Sequence, residues 1–428
     1  MDFISELSWR GMINDMTPGT TEKLQSGMVC GYIGFDPTAP SLQVGNLAAI
    51  MLLVHFQRCG HKPLALVGGA TGMIGDPSGK SEERSLISQD DVLHNLERFK
   101  VQLRKFLDFD SSVNGAEIVN NYDWFKNMGF LEFLRDVGKH LTVSYMIAKD
   151  SVQSRLENGI SFTEFSYQLL QGYDFLWLLQ NKNCEFQMGG SDQWGNITAG
   201  TELIRRKSGA DAFALTTPLV TRSDGTKFGK SAAGEKLWLD PAMTSPYKFY
   251  QFWLNVGDDE ARRFIRVFTL LSRDDIETLE REHALQPHLR LLQKALARDI
   301  TVRVHSQSDY DSAVAASDIL FGSGTAEALR QLPEASLLAA LEGVPRASVA
   351  HSLFDQGVAL IELLAGHTQI FSSKGEARRM ISGGGVCLNK LKTASIEDSI
   401  KTDSLIQGKY LLVQKGKKNY HLIVAEQG

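Results

Sequence analysis

Cysteine is scarce and scattered. The 428 residues contain four, Cys30, Cys59, Cys184 and Cys387, with no Cys-x-x-Cys pair and no neighbouring cluster of Cys and His. That pattern excludes a disulfide-stapled scaffold and the usual zinc spacings, so no residue is assigned to a metal; a reducing cytoplasm is the expected location. Long hydrophobic runs are missing too. No stretch of about 18 consecutive apolar residues occurs, which leaves no candidate membrane span and no membrane partner. Residues 1 to 24 carry Asp2, Glu6, Asp15 and Glu22, a composition that fits neither a secretory signal nor an Arg-rich transit peptide. Internal repeats and low-complexity segments are absent. With 43% hydrophobic and 22% charged residues, the chain reads as an ordinary folded protein rather than a fibre or a disordered one.

Net charge is small, −5, but it is uneven. From Arg346 to Gly428, 11 Lys and Arg stand against 7 Asp and Glu, a surplus of four, so the remainder carries −9. A basic module on an acidic body points to a polyanionic partner, although a solvated surface gives the same count.

The length allows about three domains at roughly 150 residues each. The first half alternates strand and helix signals. Met28 to Phe35 and Pro63 to Val67 are short apolar runs, and Glu117 to Asn120 is a third strand candidate. Leu47 to Phe56 reads as a helix. Residues 90 to 107 place Leu93, Leu96, Phe99, Leu103 and Phe106 three or four apart, the spacing of an amphipathic helix. Such alternation predicts a parallel sheet covered by helices, with ligands beyond the carboxyl ends of the strands. From Ser245 only helices are expected. One has an apolar stripe of Leu289, Leu292, Leu296, Ile300 and Val304, and Ser272 to Asp275 reads as a capping box opening another. Residues 335 to 345 read as a linker. The tail predicts a helix over Gly375 to Ile381 and strands at Val386 to Asn389, Lys409 to Gln414 and Tyr420 to Val424.

Two familiar phosphate motifs fail by one residue each. In Gly75-Asp-Pro-Ser-Gly79-Lys80-Ser81 only three residues separate the glycines, where a P-loop needs four. In Ala70-Thr-Gly72-Met-Ile-Gly75, Ala70 stands where a dinucleotide fingerprint has its first glycine. What survives is a glycine-rich turn followed by Lys80 and Arg84, either a phosphate-holding loop or a plain tight turn. A second constellation, Asp36-Pro-Thr-Ala-Pro-Ser-Leu-Gln43-Val-Gly45-Asn46, lies between a strand and a helix, where free N–H groups favour anions. A third, Ser223-Asp-Gly-Thr-Lys227-Phe-Gly-Lys230-Ser231, reads by itself as a solvated basic loop.

Taken in order, Phe35-Asp-Pro-Thr with Gln-Val-Gly-Asn, then Gly189-Gly-Ser-Asp-Gln-Trp-Gly-Asn196, then Lys227-Phe-Gly-Lys-Ser resembles the class I aminoacyl-tRNA synthetases, specifically the bacterial tyrosyl-tRNA synthetases. The similarity extends over essentially the whole chain. Gly69 to Lys80, Ser161 to Asp174 and Gly189 to Asn196 carry it most specifically.

The resemblance implies a Rossmann-like α/β catalytic domain with a parallel sheet over residues 1–232, with a dimerisation insertion at about 120–160. It further implies an all-α anticodon-side domain over 233–335 and a small α+β S4-like RNA-binding domain over 346–428. It implies a homodimer whose substrates are L-tyrosine, ATP with Mg²⁺, and tyrosine tRNA, with no tightly bound cofactor. The tyrosine phenol would meet Tyr32 and Asp174, and its ammonium Asp76, Tyr167 and Gln171, with Asn121 and Trp124 behind the pocket. Tyr167, Gln171 and Asp174 are four and three residues apart and share one face of a helix. Without the flanking motifs that trio reads as a core Tyr with surface Gln and Asp. Asp192 and Gln193 would contact ribose and carboxylate, while Gly34, Asp36, Gly45, Asn46, Gly190 and Ser231 would approach the nucleotide. Thr38, Gln43, Lys80, Arg84, Lys227 and Lys230 would gather around the leaving phosphates. In the tail, Lys374, Arg378 and Arg379 lie within one and a half helical turns and suit an RNA backbone.

One departure stands out. The class usually has His-x-Gly-His at the helix entrance, and here the two His positions are Gln43 and Asn46. The Gln43 amide keeps an N–H donor for phosphate but cannot carry charge, so an active enzyme with slower activation is expected. The competing expectation is a synthetase-like protein that binds structured RNA without aminoacylating it.

Overall fold

Alternating apolar runs and amphipathic stretches in the first half fold into one open sheet. The computed structural model describes residues 2–427 apart from 79–86, 157–158, 224, 226–227, 230–235, 322–325, 343, 394 and 417–418. The chain divides into two units: Met1–Thr244 with Phe252–His305, and Ser245–Gln251 with Ser306–Gly428.

In the first unit the strands are β1 (Asp15–Met16), β2 (Cys30–Phe35), β3 (Lys62–Val67), β4 (Glu117–Asn120), β5 (Cys184–Gly190) and β6 (Phe213–Thr217). They lie in the order β1-β6-β5-β2-β3-β4, parallel throughout except for β1 on β6. The expected parallel sheet is therefore present. From β2 the chain steps outward to β3 and β4, then returns to the other side of β2 for β5 and β6. That reversal opens a crevice beyond the carboxyl ends of β2 and β5.

The helices used below are α1 (Phe3–Arg10), α2 (Leu47–Arg58), α3 (Gln89–Leu103), α4 (Phe162–Lys182) and α5 (Trp194–Ser208), followed by α6 (Asp258–Phe268), α7 (Arg273–Leu285) and α8 (Leu291–Val304). Nine of the twelve α2 residues are buried, because it is packed between the sheet, α1 and α6. Gly31 of β2 makes that packing close: a methyl group there would lie 2.9 Å from the Phe56 ring. In α3 the buried stripe runs Val92, Leu96, Phe99, Leu103, while Leu93 faces outward at 40% exposure. The predicted stripe was thus one residue out of register at its start. Ser272 caps α7, its Oγ accepting from Asp275 N at 3.1 Å. Leu292, Leu296, Ile300 and Val304 are buried on α8 as expected, but Leu289 is not part of the stripe. Arg290, at φ 54°, turns the chain before the helix begins.

The second unit contains α9 (Gln307–Phe321), α10 (Glu334–Ala340), α11 (Lys374–Ser382) and a sheet of β7 (Arg346–Ala350), β8 (Val386–Leu388), β9 (Leu391–Lys392), β10 (Tyr410–Lys415) and β11 (Asn419–Glu426). The order is β9-β8-β10-β11-β7, antiparallel except for β7 on β11. Residues 335–345 are not a bare linker. Leu337 and Leu341 are wholly buried against Ile406, Tyr410, Leu412 and Leu422, so this stretch belongs to the core of the tail. Strand β7 escaped the sequence reading because its short, weakly apolar run is specified by its neighbour β11 rather than by its own pattern.

Candidate active site

The crevice beyond β2 and β5 is a cavity of about 840 Å³. At its floor Tyr32, on β2, is buried with its Oη unpartnered among the described residues, its ring edge-on to Phe175 at 5.5 Å. Asp174, on α4, is 2% exposed and accepts from Trp124 Nε1 at 2.9 Å and from Asn121 Nδ2 at 3.1 Å. Trp124 is itself fixed by stacking on Trp177, 4.2 Å between centroids. Burial pushes the Asp174 carboxyl up to about 8, against the two hydrogen bonds that favour its charge. Burial likewise raises the Tyr32 and Tyr167 phenols well above their ordinary value, with nearby carboxylates adding to it.

A chain of hydrogen bonds leads from this floor to the loop after β2. Asn121 Nδ2 donates to Thr71 Oγ1 at 3.0 Å, and Thr71 Oγ1 donates to Asp36 Oδ1 at 2.7 Å. Tyr167 Oη donates to the other oxygen, Asp36 Oδ2, at 2.7 Å. The Asn121 amide is oriented by Ala70 N, which donates to its Oδ1 at 2.7 Å. Gly68 is required here, since any Cβ would overlap both Asp36 and Thr71. Sequence reasoning missed Thr71, which lies in the glycine-rich stretch read as either a phosphate-holding loop or a plain tight turn.

Higher in the cavity, Asp76 accepts from Gln193 Nε2 at 2.7 Å, from Ser78 N at 2.9 Å and from Asn196 Nδ2 at 3.3 Å. Asp76, Tyr167 and Gln171 therefore line one cavity, but in this structure Tyr167 bonds Asp36 while Gln193 holds Asp76. Asn196 closes the turn by donating to Ser78 Oγ at 3.2 Å, a role its motif did not reveal.

At the other end, Gln43, Gly45 and Asn46 line the mouth with Thr38, Gly34, Gly190 and Asp192. The Asn46 side chain accepts from Gln43 N at 2.9 Å and so caps the turn that enters α2. The segment after the lysine motif returns to this turn. Val44 N donates to Leu237 O at 3.0 Å, Leu239 N to Leu42 O at 2.9 Å, and Leu237 N to Gly229 O at 3.1 Å. Phe228, inside the motif, is 9% exposed among Phe264, Trp253 and Phe268. Both ends of the motif loop are thus tied down beside Gln43. Lys80, Arg84, Lys227, Lys230 and Ser231 lie outside the described residues.

The tail residues Lys374, Arg378 and Arg379 are exposed on α11, with Lys374 ion-paired to Glu362.

The family of tRNA synthetases class I (W and Y) matches residues 26–322, and the tyrosine–tRNA ligase SYY-like C-terminal domain matches 337–423. The tyrosine–tRNA ligase of Cytophaga hutchinsonii is 61% identical over 424 residues, covering 99% of each chain; that of Bacteroides thetaiotaomicron is 57% identical over 431 residues, covering all of both. The chain belongs to the tyrosine–tRNA ligases of the class I tRNA synthetases. Among solved structures, a C-terminally truncated mitochondrial tyrosyl-tRNA synthetase of Aspergillus nidulans is similar at TM-score 0.65 and 30% identity, covering 73% of this chain and 92% of that one. The tyrosyl-tRNA synthetase of Archaeoglobus fulgidus, solved with L-tyrosine, shares the fold at TM-score 0.55 and 16% identity, covering 73% of this chain and all of that one.

Proposed function

We propose that this synthetase activates L-tyrosine with ATP, giving tyrosyl-adenylate and pyrophosphate, and then transfers the tyrosyl group to the 3′ end of tyrosine tRNA. The observation that carries the reading is the floor of the cavity, where the unpartnered Tyr32 Oη and the buried Asp174 carboxyl suit one substrate phenol. A phenyl ring in its place would give the Tyr32 hydroxyl no partner and Asp174 no bond beyond those from Trp124 and Asn121, which is the basis of strong discrimination. Asp76, with Tyr167 and Gln171, supplies the counter-charge and acceptors for the substrate ammonium. Gln193 and Asp192 stand where carboxylate and ribose would meet.

In the first step a tyrosine carboxylate oxygen attacks the α-phosphorus and the bond to the bridging β-phosphate oxygen breaks. In the second a ribose hydroxyl of the tRNA attacks the tyrosyl carbonyl and AMP leaves. Neither step needs a protein nucleophile, so the residues work by positioning and by stabilising charge on the departing phosphates. Thr38 and Gln43 act there, with Lys80, Arg84, Lys227 and Lys230 in the expected roles. No group of three His, Cys, Asp or Glu able to hold a metal occurs among the described residues, so Mg²⁺ would arrive on the ATP phosphates.

Lys374, Arg378 and Arg379 would meet tRNA phosphates from the tail. Exposed Phe130, Leu131 and Val143, at 65%, 79% and 61%, lie in the expected dimerisation insertion and are the reason to propose a homodimer. No described helix is long and apolar enough to cross a membrane, and a cytoplasmic location is proposed with the function. Tyrosine-dependent exchange of labelled pyrophosphate into ATP tests the reading. Its absence from a folded protein that still binds tRNA would favour RNA binding without aminoacylation.

A further inference from the structure

A second large cavity, of about 920 Å³, lies against the reaction cleft. Thr217, Pro218, Leu219 and Val220, at the carboxyl end of β6, line both. Its other walls come from α1, α6 and α7, and they are rich in arginine. The carboxylates present are already committed. Glu280 takes two hydrogen bonds from Arg266, at 2.9 and 2.7 Å, and Glu277 is held by Arg273 at 2.7 Å and by a hydrogen bond from Trp9. Arg10 is also spent, donating to the carbonyls of Arg266, Thr269 and Leu271 at the end of α6.

Three exposed guanidiniums remain with donors to spare. Arg263 gives one bond to Thr221 O at 3.2 Å and Arg281 one to Thr278 Oγ1 at 3.0 Å; Arg262 makes none among the described residues. None of the three forms an ion pair with a carboxylate among the described residues, although Glu277 lies within electrostatic reach of Arg281. Planar, fork-shaped donors without counter-ions favour phosphate. The wall at 217–220 is common to this cavity and to the cleft where the second substrate would present its terminal ribose, so the two lie side by side.

We propose that Arg262, Arg263 and Arg281 bind backbone phosphates of the tRNA acceptor strand and lead its 3′ end over the Leu219–Val220 rim into the cleft. The inference rests on the reading of the chain as a tRNA-charging enzyme and adds a site on the catalytic unit to the basic tail. Free nucleotide is the less favoured occupant, because three cations spread over two helices match a strand better than one pyrophosphate.

The test uses the full-length chain carrying Arg262→Glu with Arg281→Glu, and the milder Arg262→Gln with Arg281→Gln. Both positions are exposed and pair with no carboxylate, so folding should be kept. Tyrosine-dependent pyrophosphate exchange should stay within about twofold of the wild type, while kcat/KM for tRNA charging falls about tenfold or more, less for the Gln pair. The slope of log affinity against log salt should drop by about two, one per lost phosphate contact. Phosphorothioate-iodine footprinting should lose protection in the acceptor arm. Unchanged charging with an unchanged salt slope overturns the proposal, as does protection lost only from the anticodon arm. A matching fall in pyrophosphate exchange also overturns it, pointing to the nucleotide instead. If the wild type exchanges pyrophosphate but charges no tRNA, the fault lies with the proposed function and not with this site.

Discussion

Tyr167 and Asp36, 131 residues apart in sequence, are joined by a 2.7 Å hydrogen bond from phenol to carboxylate. The bond links α4 to the loop after β2 across the cavity that both line. Thr71 holds the other Asp36 oxygen and passes the connection through Asn121 to Asp174. One relay therefore joins α4, the loop after β2 and the turn after β4.

Thr71→Val keeps the shape of the side chain and removes its hydroxyl. It takes one hydrogen bond from the Asp36 carboxylate and leaves an N–H of the buried Asn121 amide short of an acceptor, at a cost of about 1.5–3 kcal/mol where a charged group is involved. The expected result is a tenfold or greater fall in kcat/KM for tyrosine in pyrophosphate exchange. Thr71→Ser should restore it to within a few-fold. Equal losses in both variants would show that the methyl group matters and the hydroxyl does not.

Asp174 should make tyrosine binding depend on pH. With its carboxyl raised to about 8, it is largely protonated at neutral pH. A phenol donating to it favours the ionised form, so binding releases a proton below that value. The dissociation constant for tyrosine, from equilibrium dialysis without ATP, should fall by up to about tenfold per pH unit from about pH 6 and level off near 8. The same shift acts on stability. A carboxyl raised from 3.8 binds more protons folded than unfolded, so its contribution is full below about 4 and is lost as pH rises through about 8. In Asp174→Asn the corresponding slope of melting temperature against pH should disappear.

Gln43 lines the mouth while its backbone N–H is held by Asn46. Its side-chain amide is proposed to serve the leaving phosphates. Gln43→Ala should lower kcat for pyrophosphate exchange roughly ten- to a hundred-fold with less change in KM for ATP, and Gln43→His should keep or raise it. Similar pre-steady-state activation rates for the wild type and Gln43→Ala would leave Gln43 as a turn residue alone.

Phe228 anchors the lysine motif in an aromatic cluster, 4.6 Å from the Phe264 ring centroid. Phe228→Ala opens a cavity and should destabilise the first unit by about 3–5 kcal/mol in chemical denaturation. It should also slow activation beyond what Phe228→Leu does, since the loop loses its fixed end. Normal activation kinetics in a destabilised Phe228→Ala protein would separate the anchor from catalysis.

Where the chain is cut should decide whether the shortened protein behaves. Ending it at residue 345 strips Ile406, Tyr410, Leu412 and Leu422 from the buried faces of Leu329, Leu337 and Leu341. Ending it at residue 305 removes those faces with most of their partners, leaving only Tyr247 of the cluster behind. The shorter product should stay monodisperse by light scattering and keep pyrophosphate exchange, while the longer one aggregates or binds a hydrophobic dye.

The sequence by itself determined the elements that carry their own periodicity. The strands through Tyr32 and Leu64, the helix from Leu47 and the face shared by Tyr167, Gln171 and Asp174 follow from local patterns of apolar and polar residues. Motif order determined the family, because each motif is a short run of adjacent residues. What joins residues far apart in the chain was decided only in three dimensions. The Asp36–Thr71–Asn121–Asp174 relay, the return of Leu237 to Val44, and the burial of Leu337 under β10 each depend on a partner that no local window contains. The Asp174 carboxyl is an extreme case. As a residue it is an ordinary acid, and only the exclusion of water around it by the folded chain moves its charge to about 8.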